Sequence, residues 1–101
     1  MIRPGVRVAL LGGRDKGQVT RVDAGVCEVL WQNGGKRERI PQVELVWCGR
    51  RVRTRDGRAG KVIELGRSGR FRVRMAGGCH WMTPDELVLC AQSEQSEQTG
   101  V

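Results

Sequence analysis

At 101 residues with 39% hydrophobic content, the chain suffices for one ordinary domain or two very small ones, and its four cysteines are too few and too scattered for a disulfide scaffold. Eighteen Lys and Arg against eleven Asp and Glu leave a formal charge of +7, a balance that favours polyanionic partners. Uninterrupted apolar runs such as Val8–Leu11 are far too short for a membrane-spanning helix, and Met1-Ile2-Arg3-Pro4 leads into no apolar stretch of the kind a secretion signal needs, so a reducing, cytoplasmic setting is the expectation.

In chain order, Val6, Val8 and Leu10 alternate with other residues and predict a strand, turned by Gly12-Gly13. A second strand is predicted near Gln18–Val22 and a third over Val26–Trp31, with Asp23-Ala24-Gly25 as the turn between them. Asn33-Gly34-Gly35 marks the next hairpin, a fourth strand follows near Lys36–Ile40, and a fifth over Glu44–Trp47. The same order then recurs. Gly5-Val6-Arg7-Val8 matches Gly49-Arg50-Arg51-Val52, Gly17-Gln18-Val19 matches Gly60-Lys61-Val62, and Glu44-Leu45-Val46-Trp47-Cys48 matches Glu86-Leu87-Val88-Leu89-Cys90. In the second copy Asp56-Gly57 and Arg67-Ser68-Gly69 are the turns, and Thr83-Pro84-Asp85-Glu86 predicts one capped helical turn, with Thr as N-cap, Pro at N1 and Glu reaching back from N3. No segment has sustained helical periodicity.

The expected architecture is therefore all-β: two tandem small SH3-like barrels, residues 1–47 and 48–90, with a polar, disordered tail or linker at 91–101. Units this small bury little alone, so they should pack against each other or share an edge, with Trp47 at the joint.

These residues resemble tandem Tudor/KOW-type SH3-like domains. The opening Val6–Val19 is similar to the KOW module of NusG-type elongation factors. The run from Gly17 through Val29-Leu30-Trp31 and Gly35-Lys36-Arg37 to Asp56-Gly57 resembles the amino-terminal region of the bacterial RNA-polymerase-recycling ATPase. That resemblance implies a module acting in transcription on nucleic acid, RNA polymerase or a motor. The motor itself is absent, and Gly60-Lys61 is followed by Val62, so no phosphate-binding P-loop is present.

The positive charge is concentrated. Residues 50–74 hold ten basic side chains against Asp56 and Glu64. In Arg70-Phe71-Arg72-Val73-Arg74-Met75 the pleat sends Phe71, Val73 and Met75 to one face and Arg70, Arg72 and Arg74 to the other. Alternate residues lie about 6.6–6.8 Å apart, close to twice the spacing of charges along one DNA strand, so the three arginines suit a phosphate backbone. Arg51 and Arg53 flank Val52 in the same way, and Arg55, Arg58 and Lys61 crowd the adjacent hairpin. The bland alternative is a solvated basic surface on an Arg-rich chain. Trp81 aligns with Arg39 and Met82 with Ile40, so an inward Met82 leaves Trp81 outside, free to stack on a base or guanidinium unless a one-residue bulge reverses the pleat. Trp31, aligned with Met75, and Phe71 are expected in the core.

Other chemistries are less well supported. A methyl-reading aromatic cage needs several converging rings, and the chain has three Trp, one Phe and no Tyr. Cys27, Cys48, Cys79, His80 and Cys90 lack the paired spacing of zinc sites, and the repeat equivalents Cys48 and Cys90 read as small buried side chains. Cys79 and His80, as neighbours on a strand, face opposite sides and share a proton poorly. An oligomeric SH3-barrel reductase is similar in size, but its pore-lining Gln-Ile-Tyr segment has no counterpart here. The expectation is thus a non-enzymatic, cofactor-free module that binds DNA or RNA, or alternatively an acidic protein surface such as that of RNA polymerase or a motor ATPase.

Overall fold

The computed structural model describes residues 2–13 and 15–89; the predicted tail at 91–101 and Cys90 lie outside the described residues. The chain is all-β. The first sheet contains β1 (Arg7–Leu10), β2 (Lys16–Asp23), β3 (Val26–Trp31), β4 (Arg37–Pro41) and β5 (Leu45–Val46). The second contains β6 (Arg51–Thr54), β7 (Ala59–Leu65), β8 (Phe71–Met75), β9 (Gly78–Met82) and β10 (Leu87–Leu89). Single 3-10 turns at Gln42–Glu44 and Pro84–Glu86 precede the closing strand of each sheet, and a third lies at Arg67–Gly69. Among the described residues, no helix is long and apolar enough to cross a membrane.

Both sheets are five-stranded and antiparallel, and both follow one order: β4-β3-β2-β1-β5 in the first, β9-β8-β7-β6-β10 in the second. The duplication reaches fine detail. Gly5 N–H donates to the Val19 carbonyl at 2.7 Å and Val19 N–H to the Val6 carbonyl at 2.9 Å; Gly49, Val62 and Arg50 repeat this pair of bonds at 2.7 and 2.9 Å. The β2–β3 register shifts between Val19 and Arg21, and the β7–β8 register shifts at the matching place, between Val62 and Glu64. Gly17 and Gly60 also serve one purpose. A Cβ on Gly17 would lie 2.5 Å from Val29 and 2.8 Å from the Trp31 ring, and one on Gly60 would lie 2.5 Å from Val73 and 3.0 Å from Met75. Each glycine lets a large side chain of the third strand lie flat across the second.

The predicted helical turn before β10 is present. Thr83 N–H and hydroxyl both donate to Glu86 Oε1 at 2.9 Å, and Pro84 occupies the first helical position.

Alternation places Val8, Val19, Cys27, Val29, Trp31, Ile40 and Leu45 in one core and Val52, Val62, Phe71, Val73, Met75, Met82 and Leu87 in the other. The second core also contains Ala9 and Val46, which belong to the first sheet and face each other across the β1–β5 ladder. The β1–β5 ribbon is consequently apolar on both faces: Val8 and Leu45 point to the first core, Ala9 and Val46 to the second. Trp47, expected to join the two halves, packs in the first core and also carries the Arg50 guanidinium over its ring.

Cys48 corrects a second expectation. It is exposed, because it occupies the turn closed by Arg50 N–H on the Trp47 carbonyl at 3.1 Å, where strand alternation has already ended. Arg50 is buried. Its Nη1 donates to the carbonyls of Leu45 at 2.5 Å and Gln42 at 3.2 Å, and its guanidinium lies 5.1 Å from the centre of the Trp47 ring.

Candidate nucleic-acid interface

Arg51, Arg53, Arg55, Arg58, Lys61, Arg70, Arg72, Arg74 and Trp81 are all exposed, and all come from the second sheet and its hairpins. Cross-strand register sorts them. Arg51 lies opposite Lys61, Lys61 opposite Arg74, and Arg74 opposite Cys79. Directly opposed residues project to the same face with Cβ atoms roughly 5 Å apart. Three cations thus form one row across β6, β7 and β8, and among the described residues no carboxylate pairs with any of them.

The row crosses the strands, whereas the sequence suggested a track along β8. The difference arises at the β7 bulge. Plain alternation from Val62 would turn Glu64 inward, but the shift between Val62 and Glu64 rotates it outward, opposite Arg72. Arg72 Nη1 then lies 3.6 Å from Glu64 Oε1. Both side chains are well exposed, so the pair contributes little to stability, yet it offsets the charge of the middle arginine. Arg70 precedes β8 and follows the Arg67–Gly69 turn.

Arg53 and Arg58 are engaged within the β6–β7 hairpin, and Arg55 reaches the Pro84–Glu86 turn. Arg58 Nε sits 3.1 Å from Asp56 Oδ2, Arg53 Nη1 donates to the Gly57 carbonyl at 3.3 Å, and Arg55 Nε donates to the Asp85 carbonyl. The Thr54 hydroxyl, followed by Arg58, holds the Asp56 carboxyl below its ordinary pKa. These contacts occupy the three cations outside the row.

The first sheet provides an internal comparison. Its corresponding row reads Arg7, Gln18, Leu30 and Arg37, with two neutral residues where the second sheet has Lys61 and Arg74. The next row reads Arg21, Glu28 and Arg39, against Glu64, Arg72 and Trp81. A continuous cation row is therefore not required by this topology. It carries a cost in the free protein, since like charges directly opposite one another repel.

Trp81 is 49% exposed while its neighbour Met82 is buried, and the β8–β9 ladder runs without a shift, so the tryptophan lies on the outer face beside Arg72. Its ring edge rests on Gly66: a Cβ there would come within 2.4 Å of Trp81 Cζ3. A shallow depression at this point is lined by Lys16, Glu64, Leu65, Gly66, Arg67 and Trp81. Lys16 and Gly66 carry no signal in the linear sequence, because strand register alone does not reveal which loop lies beneath a side chain. Arg50 could have been recognised: its repeat equivalent is the partly buried Val6.

Among the described residues, no group of three His, Cys, Asp or Glu side chains is arranged to hold a metal ion. Comparison with protein-family models and with curated proteins finds no match to this chain.

Proposed function

We propose that this chain is a binding module of two SH3-like barrels of the Tudor/KOW type, and that the outer face of the second barrel binds the phosphate backbone of nucleic acid. The common strand order and the doubled bulge support the tandem architecture. The observation that carries the binding reading is the row Arg51–Lys61–Arg74, set in register without carboxylate partners among the described residues, on a sheet whose twin has Gln18 and Leu30 at its centre. Repulsion within such a row is relieved by an anionic partner with closely spaced charges, and a phosphate chain has them. Contacts of this kind position a backbone and carry no sequence information.

Fluorescent oligonucleotides titrated at several salt concentrations test the reading. Neutralising about three phosphates gives a log–log salt slope of roughly −2 on single strands and roughly −2.7 on duplex. Replacing Arg51, Lys61 and Arg74 together by Glu should abolish binding, while Arg7→Glu with Arg37→Glu on the first sheet should leave most of it. Absence of binding near physiological salt would overturn the reading and favour an acidic protein surface, such as that of RNA polymerase or a motor ATPase, as the partner.

A further inference from the structure

We propose that Trp81 and the depression beside it form a seat for one unpaired nucleobase, so that the module takes single-stranded nucleic acid in preference to duplex. The inference rests on the nucleic-acid reading and names the substrate class of that face.

The seat is assembled from separate parts of the chain. β9 presents the indole on the outer face, and Gly66, at the end of β7, leaves room for the ring edge to settle against the backbone. One side of Trp81 is thus supported while half of its surface stays open. Arg72 lies directly opposite it on β8. Arg67 comes from the turn after β7, and Lys16 comes from β2 of the first sheet. The depression is therefore composite, with Lys16 and Arg67 lining it beside an aromatic platform.

The fold does not need a tryptophan at this position. The matching residue in the first sheet is Arg39, and the residue matching Gly66 is Asp23. Platform and support differ together from their counterparts, which is the pattern expected of a ring given a place to lie. Arg74, the end of the cation row on β8, is two residues from Arg72, about 6.6–6.8 Å along the strand. A backbone bound across Arg51, Lys61 and Arg74 would thus have a base within reach of the indole.

Strandedness follows from geometry. In a duplex each base is stacked above and below, and its faces are unavailable to an indole unless a nucleotide is flipped or a step unstacked, at a substantial energetic cost. An unpaired base has a free face. Stacking of this kind tolerates any base and any sugar, so DNA and RNA single strands both qualify. Glu64 at the rim disfavours a close phosphate there and leaves that role to the cation row and to Lys16 and Arg67.

Three probes of equal length test the seat: a thymidine 12-mer, the same strand in duplex with its complement, and an abasic 12-mer that has the phosphates without the bases, with a uridine 12-mer as the RNA arm. Trp31 and Trp47 are 6% and 8% exposed, so quenching by a bound oligonucleotide reports on Trp81. The thymidine and uridine strands should bind about tenfold tighter than the abasic strand and quench the emission. Trp81→Ala should remove that advantage while leaving abasic binding unchanged. Trp81→Phe should restore part of it, and Gly66→Ala, by displacing the ring, should reduce it. Equal affinity for the abasic and thymidine strands without quenching, or tighter binding of the duplex, would overturn the base seat and leave the phosphate row standing. Failure of all the probes to bind would instead overturn the nucleic-acid reading.

Discussion

Ala9 and Arg53 hold the same position in the two sheets, each opposite a valine of the closing strand, yet Ala9 is buried in the neighbouring core and Arg53 is exposed. The paired valines follow suit: Val46 is fully buried, and Val88 is 46% exposed. One surface of the repeat thus seals the adjoining unit in the first copy and faces outward in the second, where arginine replaces alanine.

The sealing role can be tested by giving the first copy the residue of the second. Ala9→Arg places a cation where burial leaves no room and no partner, and should destabilise the chain by several kcal/mol. Arg53→Ala changes an exposed site and should stay within about 0.5 kcal/mol. Urea unfolding of both variants makes the comparison. Equal midpoints for the two would show that the contact between sheets contributes little.

Arg50 and Arg51 are chain neighbours with opposite roles. Arg50→Met removes charge-assisted bonds to the Leu45 and Gln42 carbonyls and the contact with Trp47, and should cost roughly 2–4 kcal/mol. Arg50→Lys should recover only part, because an ammonium lacks the planar fork. Arg51→Met should leave thermal stability nearly unchanged and weaken nucleic-acid binding. A drop in melting temperature for Arg51→Met as large as that for Arg50→Met would contradict this division.

Glu64 restrains the binding face. Glu64→Gln frees Arg72 from its 3.6 Å ion pair and removes the carboxylate from the depression beside Trp81. Affinity for a single-stranded oligonucleotide should rise severalfold and its salt slope steepen by about 0.7, with little change in stability because both partners are exposed. An unchanged salt slope would place Arg72 outside the contact.

Acid should loosen the hairpin ends of the second sheet. The Glu86 carboxyl is held below its ordinary pKa by the Thr83 backbone N–H and then by the Thr83 hydroxyl, and Asp85 is lowered mainly by the same hydroxyl. Asp56 is lowered by Thr54 and then Arg58. A carboxyl whose folded pKa lies below its unfolded value binds fewer protons when folded. Its contribution is present above the unfolded pKa, near pH 4, and is lost as pH falls through the lower folded value. Stability should decline below about pH 4, and Glu86→Gln should flatten that decline. The readout is the melting temperature between pH 2 and pH 6. A profile unaltered by Glu86→Gln would remove the capping turn as its source.

What could be read from the linear chain was whatever depends on a period of two and on turn chemistry. Phe71, Val73 and Met75 point inward and Arg72 and Arg74 outward because adjacent side chains in a strand must alternate, and Thr83-Pro84-Asp85-Glu86 caps a turn because its own atoms satisfy one another. The duplication was visible because glycines and valines keep their order in both copies. Alternation alone left Trp81 open to either face, and the unshifted β8–β9 ladder places it on the outer one.

The rest was decided by contacts between segments distant in the chain. A one-residue bulge reversed Glu64 and so paired it with Arg72, leaving the cation row to run across strands; nothing in the local sequence around Ile63 marks that shift. Ala9 and Val46 look like ordinary strand residues until a second sheet covers them, Arg50 looks like surface charge until Leu45, Gln42 and Trp47 enclose it, and Gly66 looks like a turn until an indole rests on it. Alternation determines which side of a strand a residue faces. What lies on that side depends on how the two sheets come together, and that is a property of the packed chain.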